Sequence, residues 1–552
     1  MFKKGRYSRE RFVSDLIAGI IVGIIALPLA IAFGIASGVT PQQGLITAIV
    51  AGFIIAVFGG SRFLIGGPTG AFIVVISGII AQYGMTGLTI ATIMAGIMLI
   101  IMGFCRMGAV FKFIPYPIVV GFTSGIALTI FSTQMKDFFG MTDLDVPAGF
   151  IQEWICYFSN LGSIDCVETA LSAVCLLTII LWNKYVTKKV PGALIAIIVG
   201  TAASLLLSRF AGIEFATIGS KFPELGSGMS LPKPSMPDFD LNTIKDLVSP
   251  ALTIAFLCAI ESLLAAMVAD GVTGKQHDSN TELIAQGMAN IVTPLFGGIP
   301  STGALARTMA SINNGARTSV AGLVHSVVLL LIFLFLMPYV IYVPLGCLAA
   351  ILIVVAYNMS EWRSFKYLLK GEKSDIAVLI VTFLLTVIFD LTVAIEVGLL
   401  IACLLFMRRM AETTQVKVIA DEIDPNEETD AEVHEERLVI PQGVEVYEIN
   451  GPYFFGIASK FDDIMATMEK RPKVRIIRMR RVPFIDSTGI HNLQNLCQMS
   501  HREGTHIVLS GVQEKVYDVL EHNGFCHLLG KDHICPNINV ALKKAEEIAH
   551  RG

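Results

Sequence analysis

Long apolar blocks separated by short polar or Gly/Pro breaks fill the first four hundred residues. Between Leu16 and Cys105 only Arg62 carries a formal charge, and no water-soluble domain can cover its surface with such a stretch. A helix that crosses the hydrocarbon core, about 30 Å thick, needs about 20 mostly apolar residues. In lipid every backbone N–H and C=O must be satisfied within the segment, which selects helices over open sheets. The blocks fall near 16–36, 43–59, 69–81, 86–105, 113–135, 169–183, 190–208, 247–267, 281–296, 302–312, 318–337, 341–357, 376–389 and 392–407, which predicts fourteen membrane segments. Those starting at Thr69 and Thr302 are too short to cross alone.

The pattern repeats. Gly66-Gly67-Pro68-Thr69-Gly70-Ala71 is echoed by Gly298-Ile299-Pro300-Ser301-Thr302-Gly303-Ala304. Asp15 opens the first span 54 residues before Thr69, and Asp246 opens the eighth 56 residues before Thr302. Gly38-Val39-Thr40 closes the first span and Gly271-Val272-Thr273 the eighth. Seven spans per repeat is an odd number, so the halves are expected to be inverted in the membrane. Gly-Pro-Thr-Gly is also a common turn, but paired, Gly/Pro-interrupted segments at matching positions of two halves point to a transporter's binding site.

Charge placement sets the expected orientation. The cluster Lys3, Lys4, Arg6, Arg9 and Arg11, then Arg106 with Lys112, Lys184–Lys189, Lys275, Arg363–Lys370 and Arg408–Arg409, should face the cytoplasm. Fourteen crossings satisfy that parity and leave both termini inside. The first apolar run is too long for a signal peptide and reads as an uncleaved span. The chain is 54% hydrophobic and 16% charged, with a net charge of −4, and no basic-aromatic pattern invites nucleic acid. Ten cysteines form no CxxC or zinc spacing, so no metal or cofactor is expected. Cys156 and Cys166 share a polar loop and could bridge in an oxidising space.

Composition changes after Arg409. Residues 421–436 hold nine acidic groups and no Lys or Arg, the mark of a solvated linker. From 437 to 552, strand-like stretches (444–449, 474–478, 507–510) alternate with helical ones (458–469, 487–502, 513–523, 537–549), predicting a compact α/β domain. The expected division is 1–410 for the membrane domain, with repeats about 12–210 and 243–410, then a linker at 411–436 and the domain 437–552.

Glu261 is the single charge in the apolar stretch 255–269. A carboxylate at a helix centre costs about 2.5–3.5 kcal/mol on insertion scales. It can stay neutral by holding a proton, which makes Glu261 a candidate for proton coupling or a sodium ligand; the alternative is a structural tie to a backbone or hydroxyl group. The short helices after Thr69 and Thr302 have N–H groups without intrahelical partners and a partial positive charge at that end. Two of them facing each other would hold an anion without a metal. Thr69, Ser301 and Thr302 add hydroxyls, and Gly70, Ala71, Gly303 and Ala304 let substrate approach the backbone. Arg307, about one and a half turns in, either adds a full charge or snorkels to the interface. Phe72 lines the cavity or simply packs. Asp390 and Glu396 flank a turn between the last two spans, and His325 in an apolar helix either relays protons or packs with a hydrogen bond.

Taken together, these residues resemble the SulP (sulfate permease) family of anion transporters, the prestin- and pendrin-type solute carriers. The marks are Gly66–Ala71, Ala259-Ile260-Glu261-Ser262-Leu263-Leu264, Gly297–Arg307 and Phe484-Ile485-Asp486-Ser487-Thr488-Gly489. The last is similar to STAS domains (sulfate transporter and anti-sigma factor antagonist). Gln134-Met135-Lys136-Asp137-Phe138, Asn358-Met359-Ser360-Glu361 and Leu405-Phe406-Met407-Arg408-Arg409 are similar to the bacterial branch that takes up dicarboxylates such as succinate. The resemblance implies a mostly α membrane protein of two inverted seven-helix repeats, split into core and gate domains, with a cytoplasmic α/β STAS domain. It also implies homodimers, elevator-like motion, substrate between the two half-helix N-termini, Glu261 as coupling carboxylate and Arg307 as counter-charge. Position 261 is Glu where some sodium-coupled bicarbonate members carry Asp, and Ala265 offers no hydroxyl one turn on, which favours protons. Ser487 or Thr488 is either a phosphorylation site or an ordinary N-cap.

The expected function is proton-coupled symport of a sulfate-like anion, bicarbonate or a dicarboxylate across a bacterial inner membrane. The alternatives are an uncoupled exchanger or channel-like conductor, and a membrane-tethered regulator. No nucleophile–base–orienter set is visible, so no enzymatic reaction is expected.

Overall fold

The computed structural model describes residues 8–113, 115–141, 144–147, 149–186, 190–223, 234–235, 241–389, 397–398, 400–407, 410, 415–419, 422–423, 438–454 and 472–551. Asp390, Glu396, Arg408, Arg409, the basic residues before Ser8, the stretch 458–469 and the linker acids other than Glu422 lie outside the described residues. The chain divides into two compact units, Met1–Ala402 and Cys403–Gly552.

The first unit is helical, and among its described residues nine helices are long and apolar enough to cross a membrane. Its elements are α1 (Arg9–Ala36), α2 (Pro41–Phe58), β1 (Gly66–Gly67), α3 (Phe72–Phe104), α4 (Tyr116–Phe138), α5 (Phe150–Ser159), α6 (Cys166–Leu181) and α7 (Gly192–Ala211). There follow α8 (Val248–Thr273), α9 (Ser279–Leu295), β2 (Thr302–Gly303), α10 (Leu305–Asn313), α11 (Val320–Val340), α12 (Leu345–Met359), α13 (Trp362–Leu368) and α14 (Lys373–Ile388).

Local chemistry sets the ends. Thr40 and Gln43 form a capping box ahead of Pro41, which starts α2. Asp278 caps α9 by accepting from the N–H groups of Asn280 (3.0 Å) and Thr281 (3.1 Å). Those bonds, Thr281's first, hold its carboxyl below the usual range. Gly84, at φ 69°, breaks α3 between the blocks expected at 69–81 and 86–105.

Two expectations change here. Asp15 does not open the first span, because Ser8 caps that helix and α1 begins at Arg9. Asp15 is instead fully buried inside α1. It accepts from the N–H of Arg317 (2.6 Å) and Thr318 (3.1 Å) and from the Thr318 hydroxyl (2.6 Å), fastening the turn before α11. The loop that carries Cys156 contains a further helix, α5, and all ten cysteines are free.

The helices pack in two groups. α1, α2, α3, α8, α9, α10 and α11 contact one another, and α4, α6, α7, α12 and α14 form the second set. Within the first, α3 and α9 approach closely at Gly96 and Gly287. A Cβ at Gly96 would lie 2.7 Å from the Gly287 carbonyl oxygen, and one at Gly287 would lie 2.5 Å from that of Gly96. Small residues at such crossings let backbones touch where lipid supplies no hydrophobic drive.

In the second unit, β3 (Gln415–Ile419), β4 (Val444–Asn450), β5 (Val474–Arg481), β6 (His506–Ser510) and β7 (Ile534–Cys535) form one sheet in that order. β3 is antiparallel to β4, and the other pairs are parallel. Strand β3 falls in the stretch expected as linker, where Val416 and Val418 alternate with polar residues. Alternate strand residues feed two apolar clusters: Tyr447, Ile477 and Leu509 pack with residues of α15 (Ser487–Arg502) and α16 (Glu514–His522). Val446, Ile476 and Val508 pack with residues of α17 (Ile538–Arg551). Parallel strands buried on both faces have this double pattern.

Candidate anion site

The two echoed loops meet. β1 and β2 pair antiparallel, Gly66 opposite Gly303 and Gly67 opposite Thr302, the arrangement that inverted repeats require. The expected half-helices therefore start later, at Phe72 and Leu305, because the residues before them are spent on this pairing. Ala304 N–H donates to Ile65 O (2.9 Å), and Ile65 N–H donates to the Thr308 hydroxyl (3.1 Å), which extends the tie.

Beside this joint lies a cavity of about 390 Å³. One wall comes from the first helix group: Phe33, Thr69, Gly70, Glu261, Gly303, Ala304 and Arg307. The opposite wall comes from α4, α6 with the turn after it, α7, α12 and the residue Glu361 beyond α12. Thr123, Asn183, Asn358, Met359 and the Glu361 carboxylate are its polar, polarisable or charged members. The cavity thus sits at the seam between the two packed groups.

Thr69 donates its hydroxyl to Glu261 Oε2 at 2.8 Å, joining the first repeat's loop to α8. Arg307 lies in the first turn of α10 rather than one and a half turns in, since that helix begins at Leu305. Arg307 is 2% exposed and does not snorkel. It donates to Gly66 O (3.4 Å) and to Pro68 O, so a second-repeat cation braces the first-repeat strand. Gly67 has φ +149°, and a Cβ there would meet that guanidinium. Glycine meets both demands.

Four candidates stand behind the wall instead of on it. Ala71 and Phe72 are fully buried and do not line the cavity. Thr302 is also buried, its hydroxyl 2.6 Å from the Ser262 hydroxyl and 3.2 Å from Cys258 O, where it donates. Ser301 is buried with its backbone held elsewhere. Its N–H donates to Asn290 Oδ1 (2.9 Å), and Asn290 Nδ2 donates to Ser301 O (2.9 Å).

Asn290 was not among the expected residues, nor were its neighbours. Glu282, Gln286 and Asn290 are spaced i, i+4, i+8 on α9 and are all fully buried. Gln286 Nε2 donates to Glu282 Oε1 (2.8 Å), and Ser61 N–H donates to Glu282 Oε2 (3.0 Å). A polar ladder therefore runs from the turn after α2 to Ser301, just before β2. The four-residue spacing of polar side chains in an otherwise apolar segment was the available signal. Replacing Asn290 with Ala leaves the buried Ser301 N–H unpaired, at about 1–3 kcal/mol, and leaves Ser301 O with only the weak Cys258 thiol donor at 3.3 Å. We expect a lower melting temperature and a raised KM for the transported anion, measured on purified protein and in uptake assays.

His325 is fully buried, but among the described residues neither ring nitrogen has a hydrogen-bond partner, so the expected bond is not made. At the α8–α9 turn, Asp270 Oδ2 lies 2.6 Å from His277 Nδ1, and His277 Nε2 lies 3.0 Å from the Ser279 hydroxyl. None of these three lines the cavity. In the second unit Asp486 caps α15, accepting from Gly489 N–H at 2.7 Å. Ser487 and Thr488 are its exposed first residues, so neither is the N-cap.

A model of the sulfate permease family matches residues 12–382, and one of the STAS domain matches 437–541. The chain belongs to the sulfate permease family. It is 42% identical over 534 residues to the putative sulfate transporter YvdB of Bacillus subtilis (strain 168), covering 96% of each chain. It is 32% identical over 437 residues to the bicarbonate transporter BicA of Picosynechococcus sp., covering 76% of this chain and 75% of that one. The solved murine Slc26a9 anion transporter superposes with a TM-score of 0.86 at 20% identity, over 98% of this chain and 92% of that one, which shows the shared fold. As a member of the sulfate permease family, the protein is a multi-pass anion transporter with a STAS domain.

Proposed function

We propose that the protein is a secondary active symporter that moves a small anion together with a proton. The single observation that carries this reading is the bond from Thr69 to Glu261 in the seam cavity, with Arg307 braced against the same loop. Thr69, Glu261 and Arg307 all lie in the first helix group, so motion of that group against the other changes access to the cavity without taking the joint apart. That geometry supports elevator-like transport, with α1–α3 and α8–α11 as the moving body. The anion rests against Gly70, Gly303, Ala304 and the Arg307 charge, and Glu261 carries the proton.

The substrate class is an oxyanion or carboxylate: sulfate, bicarbonate or a dicarboxylate such as succinate. The names of the relatives support the first two, and the resemblance at Gln134–Phe138 and Asn358–Glu361 supports the third. The bacterial relative YvdB supports a bacterial inner membrane, the placement of Lys and Arg supports both termini in the cytoplasm, and the resemblance supports a homodimer. A phosphate on exposed Ser487 or Thr488 would meet the positive end of α15, which supports regulation there.

The test is uptake of labelled succinate, sulfate and bicarbonate into proteoliposomes at acidic and at neutral external pH, each competed by the other two. One anion should dominate, and its flux should rise on acidification. Flux that ignores pH favours the uncoupled exchanger, and no flux of any anion would remove transport from the reading.

A further inference from the structure

A second cavity of about 500 Å³ opens between α4, α12, α13 and α14, with no lining residue in common with the anion site. Its floor is apolar, with Ala127, Phe131, Ile353 and Phe383. The polar groups on its walls are mostly engaged. The Ser124 hydroxyl donates to Ser360 O at 2.6 Å, and the Trp362 indole N–H donates to the Tyr357 hydroxyl at 3.2 Å. Lys366 on α13 is the single charged side chain lining the groove. It is exposed, and among the described residues it makes no ion pair.

We propose that this groove binds one anionic phospholipid, with its phosphate at Lys366 and an acyl chain along Phe131, Ile353 and Phe383. Three observations favour that occupant. The volume lies within the range of small-ligand sites, about 300–1,000 Å³, while a floor without free donors rejects a polar metabolite. The rim holds Tyr357 and Trp362, 61% and 45% exposed, the amphipathic aromatics that settle at the headgroup level. Basic side chains between membrane helices recognise anionic headgroups. A second copy of the chain fits less well, because a two-fold contact through the groove would bring Lys366 toward its own counterpart.

The experiment uses the full chain in an uncharged detergent, titrated with phosphatidylglycerol or phosphatidylcholine of identical acyl chains. Retained lipid is counted by native mass spectrometry. Phosphatidylglycerol should be retained at about fivefold lower concentration, about 1 kcal/mol for one Lys at the headgroup. Lys366→Gln should erase that preference and leave phosphatidylcholine retention unchanged. Ala127→Trp, which fills the floor, should lower retention of both. An unchanged preference in Lys366→Gln overturns the proposal, as does a cross-link between two copies through the groove. If Ala127→Trp fails to fold, Lys366→Gln decides alone. Transport by the wild type is unaffected by either outcome, so failure here leaves the anion site standing.

Discussion

Glu261→Gln should abolish pH-driven accumulation while leaving exchange of labelled for unlabelled anion. The amide keeps the shape of the acid, and its carbonyl oxygen can still accept the Thr69 hydroxyl hydrogen bond. What it loses is the ability to bind and release a proton. Acidification outside drives a proton symporter inward, and each pH unit is worth about 1.4 kcal/mol, or up to about tenfold in accumulation for one coupled proton. In proteoliposomes the wild type should concentrate its anion when the outside is made acid. The variant should only equilibrate it, whatever the gradient. Accumulation by the variant equal to the wild type would assign the proton elsewhere.

Arg307→Met should be the most damaging single change. It removes the cation nearest the cavity's Glu261, and it frees the carbonyl oxygens of Gly66 and Pro68, both buried. Each buried carbonyl oxygen left without its donor costs about 1–3 kcal/mol. Uptake should fall below detection, and the melting temperature should drop. Arg307→Lys should recover little, because one ammonium lacks the planar fork that reaches two carbonyls. Pairing Arg307→Met with Glu261→Gln should restore part of the melting temperature but no coupled transport. Near-normal uptake by Arg307→Met alone would mean that the positive charge is not needed.

How much of this was legible varied with distance along the chain. Thr40, read as closing the first span, caps α2 instead, whereas the break at Gly84 and the helix 487–502 announce themselves within a few residues. So did Glu261, since one acid in an apolar stretch needs a reason. The joint between the repeats was half legible. The echo at 66–71 and 298–304 pointed to a shared place, but two-residue strands carry no period, and the pairing spans more than two hundred residues. Helix N-termini were therefore expected at Thr69 and Thr302, where the structure has strand pairing and turns. Asp15 was misread for a similar reason. Its partners are the N–H groups of Arg317 and Thr318, which no local pattern foretells. The ladder on α9 was visible as spacing but offered no hint of its target, Ser301.

An anion bound in the seam beside β1 and β2 must shield the residues around it. Leu305, exposed on the cavity wall at the start of α10, gives direct access to it. Leu305→Cys can be labelled with a water-soluble maleimide, and modification at that residue can be followed by mass spectrometry with and without the transported anion. Saturating anion should slow labelling by about tenfold or more, the effect of an occupied site. Labelling at an unchanged rate, in protein that still transports, would contradict it.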